Sequence, residues 1–246
     1  MSIALFIGSI IGLSLGLLGG GGSVLMTPAL VYAGGFPATE AIGMSLAVVG
    51  GTSLLGGLLN LRRGLVHYRA AVVFSLAGMT GAVPGSMLTG RVPQSLLLGL
   101  FGLLMITVAS LMLWGRRDRP KVEYRCRIGR CVGAGLGVGF LTGFLGVGGG
   151  FVIVPALMHF GDLRLREAVG TSLVVIAVSS FTGLAGHAGQ LSLDWALVGL
   201  FLGAAMLGML GGASLADRLP AESLKKGFAW LVLGVAVFVI FENWMG

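Results

Sequence analysis

Along the chain, long apolar runs alternate with short polar breaks. The runs lie at roughly 2–33, 40–60, 70–89 and 95–114, and again at roughly 131–160, 167–187, 193–215 and 225–243. Some, such as Ala41 to Leu61 and Ala70 to Gly90, contain no charged residue. A helix needs about 20 such residues to cross the hydrocarbon core of a bilayer. A barrel strand would be shorter and would alternate in polarity. The pattern predicts an all-α, polytopic membrane protein. Met1 to Gly12 has no basic cluster ahead of its apolar residues, so it reads as membrane segment and not as a cleavable signal.

The first run of each group is interrupted near its middle, by Leu17-Leu18-Gly19-Gly20-Gly21-Gly22-Ser23 and by Phe144-Leu145-Gly146-Val147-Gly148-Gly149-Gly150. Glycine is a poor helix former and readily takes positive φ. About 30 residues divided in this way make two half-helices of roughly 20 Å each, enough to reach the midplane and return but not to cross twice. Non-helical backbone at that depth must be buried in protein or line a watery cavity.

The two groups of runs are copies. Shifted by 127 residues, Gly16 to Pro93 falls on Gly143 to Pro220 without a gap, and 25 of the 78 pairs are identical. Among them are Gly19/Gly146, Gly21/Gly148, Gly22/Gly149, Pro28/Pro155, Glu40/Glu167, Ser45/Ser172 and Pro93/Pro220. We divide the chain into an N-terminal repeat (1–115), a basic linker (116–130) and a C-terminal repeat (131–246), forming one membrane domain.

Charge decides the expected topology. Lys and Arg number zero in 34–39, three in 61–69, one in 90–94, seven in 115–130, two in 161–166, zero in 188–194 and three in 216–226. Eight crossings would put ten on one face and six on the other. If the first segment of each repeat enters and leaves on the same side, fifteen lie on one face and only Arg91 on the other. The positive-inside rule selects the second arrangement. Each repeat then holds one re-entrant hairpin and three crossings. An odd number of crossings makes the repeats inverted, a recurrent design of secondary transporters.

Composition removes several alternatives. Of 246 residues, 56% are hydrophobic and 10% charged, against about 25% charged in soluble domains. The net charge of +7 sits in the connections, where topology signals belong, so it does not point to nucleic acid. No GxxxxGK[ST] is present and no GxGxxG follows a strand, and no Ser/His/Asp constellation appears. Cys126 and Cys131 lack a paired histidine and are poor metal ligands. They read as incidental loop thiols, kept reduced. No cofactor or metal is expected. The expected partners are the lipid bilayer, a small anionic substrate and a coupling proton or other ion.

The glycine tracts are the main candidate site. Each opens a short helix, whose first N–H groups are unpaired and whose N-terminus carries about half a positive charge. Two such ends meeting near the midplane would hold an anion without a buried Lys or Arg. The candidates are Gly19, Gly20, Gly21, Gly22 and Ser23 in the first repeat and Gly146, Gly148, Gly149 and Gly150 in the second. Span hydroxyls join them in pairs: Ser45 with Ser172, Thr52 with Ser179 and Ser53 with Ser180. Asn60 matches His187, near opposite faces under inversion. A hydroxyl within a helix commonly bonds back to its own backbone, so the pairing is what recommends the group. The stripes Gly8/Gly12/Gly16 and Gly135/Gly139/Gly143 read as helix-packing surfaces. Glu40 and Glu167 suit helix N-termini.

The stretches Leu18-Gly19-Gly20-Gly21-Gly22-Ser-Val-Leu-Met-Thr-Pro28 and Leu145-Gly146-Val-Gly-Gly-Gly-Phe-Val-Ile-Val-Pro155 resemble the duplicated LGxGGGxxxxP motif of the TauE/SafE family of sulfite-exporter-like permeases. The later Glu40 to Ser45 and Glu167 to Ser172 segments are similar to that family too. The first motif has Ser23 where the second has glycine. The resemblance implies a bacterial-type inner-membrane carrier for sulfite, sulfonates or related organosulfur anions. On this reading substrate binds where the glycine tips converge, and one repeat rocks against the other to give alternating access. A membrane scaffold without transport would tolerate bulk in the glycine tracts. An intramembrane enzyme would need a convergent nucleophile and base, and the sequence offers none.

Overall fold

The computed structural model describes residues 2–89, 92–114, 128–145, 150–187 and 194–245. These form ten α-helices: α1 (Ser2–Leu18), α2 (Gly21–Pro28), α3 (Ala38–Arg62), α4 (Tyr68–Thr89), α5 (Gln94–Trp114), α6 (Ile128–Leu145), α7 (Gly150–Phe160), α8 (Leu165–His187), α9 (Trp195–Arg218) and α10 (Ala221–Met245). A π-helical turn, Ala29–Ala33, extends α2. Among the described residues there is no strand. Six helices, α3, α4, α5, α8, α9 and α10, are long and apolar enough to span a membrane. The chain is all-α and polytopic, as its hydropathy predicts.

The first run of each group is broken. After α1, Gly19 adopts φ +68° while its N–H donates to the Leu15 carbonyl at 2.8 Å. The chain then reverses, and Gly22 packs on the backbone of Ile11 and Leu15. In the second group the start of α6 lies beside the end of α7, with Cys131 Sγ 3.8 Å from the Phe160 carbonyl oxygen. Each pair is thus a helical hairpin. Cys131, expected as a reduced loop thiol, is instead buried at the head of α6 and disulfide-bonded.

The glycine stripes fasten each hairpin to a spanning helix of the other repeat. Along α1, Gly8, Gly12 and Gly16 meet Ala204, Ala205 and Met209 of α9. Along α6, Gly135, Gly139 and Gly143 meet Ala77, Gly78 and Ala82 of α4. A Cβ at Gly12, Gly16, Gly139 or Gly143 would fall within the partner's backbone, so only glycine permits the approach. In both pairs residue numbers rise together, and the helices run parallel. By contrast α3 and α8 run antiparallel: Gly50 faces Ser180, Gly57 faces Val174 and Asn60 faces Gly170.

Residues related by the 127 shift make equivalent bonds. The Phe36 N–H donates to Leu30 O at 3.2 Å and the Leu163 N–H to Leu157 O at 3.3 Å. Between those partners Gly35 (φ 69°) and Asp162 (φ 51°) take the same left-handed turn. The Ala71 N–H donates to His67 O at 2.9 Å, and the Val198 N–H to Asp194 O at 3.0 Å.

Outside, the bundle is apolar. Leu76, Leu103, Leu207, Trp230 and Val237 are each more than half exposed on spanning helices, which suits lipid and not water. Tyr68, Trp114 and Trp195 stand exposed at helix ends, where interfacial aromatics belong. The nine described Lys and Arg cluster at one end of the bundle: the end of α3, the starts of α4, α6, α8 and α10, and the end of α9.

Candidate functional site

The tips of the two hairpins meet. Gly20, the N-cap of α2, packs directly on the backbone of Gly150, the first residue of α7. Gly19 to Gly22, Ser23 and Gly150 are all buried. The candidates Gly146, Gly148 and Gly149 lie outside the described residues. Around the contact, Phe228 of α10 stands 3.1 Å from where a Cβ of Gly21 would be. Its counterpart by the 127 shift, Phe101 of α5, stacks edge-on against Phe151 of α7 with centroids 5.7 Å apart. Two short helices therefore point their N-termini at each other in a buried setting. Gly20 and Gly150 touch, so in this state there is no room for an anion between them.

The hydroxyls take two roles. Ser172 on α8 borders the first tip, its Oγ 3.2 Å from the place of a Gly19 Cβ. Ser45 on α3 accepts a hydrogen bond from Thr27 Oγ1 of α2 at 3.2 Å. Most hydroxyl protons are committed to carbonyls of their own helix: Ser45 to Ile42, Thr52 to Val48, Ser172 to Val169 and Ser179 to Ile176, at 2.6–3.0 Å. Ser23 Oγ likewise donates to Gly20 O at 2.7 Å. Ser53 differs, because its Oγ is buried with no hydrogen-bond partner. Ser180 packs on Gly50, on the α3–α8 contact and away from the tips. Asn60 donates to Gly56 O at 2.8 Å and lies toward the basic end. His187 closes α8 at the opposite end. The structure thus gathers the described glycines with Ser23 and Ser172, and leaves Asn60 and His187 apart from them.

Glu40 and Glu167 sit in first turns, as expected. The Glu167 carboxylate accepts from the Arg164 N–H at 3.2 Å, a capping arrangement. It also lies 3.5 Å from His67 Nε2, while the His67 N–H donates to Thr171 Oγ1 at 3.1 Å.

One cleft, not foreseen from the sequence, opens at the basic end. It is small, with a volume of about 40 Å³, and is lined by Asn60, Arg63, Leu165, Arg166, Ala216 and Asp217, with Gly16, Leu17 and Val169 at its inner end. Val169 Cγ1 lies 3.0 Å from the position of a Gly19 Cβ, so the cleft stops one side chain short of the first tip. Asp217 pairs with Arg63 at 3.0 Å and stands 3.9 Å from Arg166. The signal available in the sequence was a break in the repeat, since these positions fall opposite Gln190, Thr39 and Gly90.

Comparison with known proteins accords with this architecture. The profile of the family described as "Sulfite exporter TauE/SafE" matches residues 4–239. The chain belongs to the TauE/SafE family. A "probable membrane transporter protein" of Xylella fastidiosa (strain Temecula1) is 36% identical over 244 residues, covering 96% of this chain and 94% of that protein. The "probable membrane transporter protein YdhB" of Bacillus subtilis (strain 168) is 28% identical, covering 88% and 91%. YfcA of Escherichia coli (strain K12), named likewise, is 28% identical, covering 77% and 72%. No solved structure matches the chain. With six spanning helices and such relatives, this TauE/SafE protein is an integral inner-membrane protein and a probable membrane transporter. Family and relatives' names alike indicate transport and not catalysis.

Proposed function

We propose that the chain is a secondary transporter of a small anion, with sulfite, a sulfonate or a related organosulfur anion as its substrate class. The family's description names sulfite, and the glycine tips suit an anion of that size, since backbone N–H groups and two helix N-termini favour negative charge. The observation that carries the reading is the contact of Gly20 with Gly150. It brings the first turns of two half-helices together in the protein interior, where carriers built from broken helices bind substrate.

The two repeats are inverted on this reading. Its support is the antiparallel packing of α3 on its own counterpart α8; repeats of the same orientation would make those helices parallel. The basic end then faces the cytoplasm, and the hairpins re-enter from opposite sides. The packed tips are the closed state of the cycle, and substrate binds when they part. In that open state the hydroxyls of Ser23 and Ser172 can turn from their own carbonyls to the anion, alongside those of Ser45, Thr52 and Ser179. A coupling proton or other ion accompanies transport.

The test is a thermal-shift and flux screen of the purified, reconstituted protein against sulfite, thiosulfate, sulfoacetate, taurine and simple carboxylates. The reading expects saturable flux of at least one sulfur oxyanion, lost on substitution at Gly20. Flux of none, or flux indifferent to Gly20, leaves a membrane scaffold as the better account.

A further inference from the structure

Of the two guanidiniums in the basic-end cleft, neither belongs to the duplication, and they share one carboxylate. Arg63 comes from the first repeat, whereas Arg166 and Asp217 come from the second, 154 residues away in the case of Asp217. All three side chains are nearly half exposed to the cleft, at 43%, 44% and 48%. Arg166 is held in place by its Nη2, which donates to the Ala216, Asp217 and Leu219 carbonyls at 3.3 Å. That bond set caps the end of α9 and leaves Nη1 facing Asp217 at 3.9 Å. Arg63 Nη1 donates to the other carboxylate oxygen at 3.0 Å. The carboxylate thus lies between two cations at the mouth of a cleft whose inner wall, Leu17 and Val169, adjoins the first glycine tip.

We infer that this cleft is a second anion-binding station, in which a small oxyanion displaces the Asp217 carboxylate and is held between Arg63 and Arg166. Asp217 is the resident counter-ion. A planar guanidinium presents paired donors that match an oxyanion's geometry, and the carboxylate already occupies the place such an anion would take. One negative charge against two positive leaves the cleft attractive to an anion even while the carboxylate stays nearby. With no charge at Gln190, Thr39 or Gly90, the station exists at one end of the molecule only. It would give the two ends unequal affinity for the anion. The inference rests on the transport reading for its biological sense, but the binding it asserts is measurable without transport.

The experiment is equilibrium binding of radiolabelled sulfite to the purified full chain in detergent, at low and high salt, beside flux of the same variants in vesicles. R63Q is expected to weaken sulfite binding about tenfold, one charge-assisted contact being lost. R63K, which keeps the charge but loses the paired donors, should fall between wild type and R63Q. D217N should tighten binding several-fold, a gain that misfolding does not imitate, and high salt should erase most of the difference. Phenylglyoxal labelling of Arg63, read by mass spectrometry as a ratio to labelling of Arg218 in the same sample to cancel reagent consumed by sulfite, should fall when sulfite is present. Unchanged binding in R63Q, or no tightening in D217N, overturns the station even if flux is normal and depends on Gly20. Conversely, Arg63 protected by sulfite in a protein that carries no sulfite would keep the station and remove the transport reading. A wild-type protein that binds no sulfite at all overturns the station.

Discussion

Gly20→Ala isolates the contact on which the transport reading depends. Gly20 has φ −63° and ψ −16°, so alanine suits its backbone and brings no torsional strain. Its Cβ would nevertheless fall within the Gly150 carbonyl group and 3.0 Å from the Phe151 nitrogen. Non-bonded carbon contacts relax to about 3.5–4.0 Å, so one hairpin has to withdraw from the other by about an ångström or more. Every obstacle is backbone, and no rotamer change relieves it. Overpacking of this kind costs about 1–3 kcal/mol, which lowers the population of the closed tips by a factor of roughly 5–150. A carrier passes through its closed arrangement in every cycle, so flux should drop about fivefold or more. The assay is uptake, into vesicles of matched protein content, of whichever anion the screen identifies. Gly133→Ala on α6 is the control, since a Cβ there meets nothing within 4 Å. Gly20→Ala flux within about twofold of wild type would refute the idea that tip contact belongs to the transport cycle.

Three further outcomes follow from the same geometry. Gly139→Ala drives a Cβ into the Gly78 backbone, so it should cut the yield of monodisperse protein sharply by size-exclusion chromatography, where Gly133→Ala does not. Cysteines placed at Asp162 and Ser192 should label from opposite sides with an impermeant thiol reagent; labelling of both from the same side, or of Asp162 alone from outside, contradicts the inverted arrangement. Ser53→Ala removes a buried Oγ that bonds to nothing, so its thermal midpoint should hold or rise, because no hydrogen bond is lost. A marked fall, or loss of transport, would mean that the hydroxyl serves a ligand.

Helix positions were legible because the apolar runs end at residues that stop helices. Pro37, Gly64, Pro93 and Pro220 lie in the breaks between helices, and the observed helices begin and end within a few residues of the expected runs. The broken first run was legible from the glycine tract, where Gly19 does take positive φ. The partner of each stripe was not legible. Gly8, Gly12 and Gly16 announce a close neighbour, but Gly81/Gly85 and Gly208/Gly212 offer equally small surfaces, and sequence does not say which is used. In the structure Gly208 and Gly212 receive α1, while Gly81 and Gly85 receive α6. The cleft escaped notice for a similar reason: its charges come from distant connections where basic residues are expected on topological grounds alone. At the first tip Gly19 and Gly20 do form the turn, and convergence of the two tips was expected from the sequence, but not that Gly20 would seat directly on Gly150.

This pairing changes the moving parts. Rocking of one repeat against the other, as the duplication suggests, would have to separate α1 from α9 and α6 from α4. Those are long seams of close backbone contact among the described residues, with several glycines in each seated on opposing carbonyls, and a packed core has discrete arrangements and does not deform smoothly. The economical motion keeps each hairpin on its borrowed helix and parts the two assemblies at the tips. A crosslink distinguishes the schemes. A Cβ at Gly8 lies 3.0 Å from the Ala204 Cβ, a few tenths of an ångström short of the roughly 3.5–4.5 Å span of a disulfide. Gly8→Cys with Ala204→Cys should therefore oxidise readily, and the oxidised protein should transport as fast as its reduced form, with wild type treated alike as the control for Cys131. Motion of repeat against repeat predicts the reverse: oxidation stops flux and a reductant restores it.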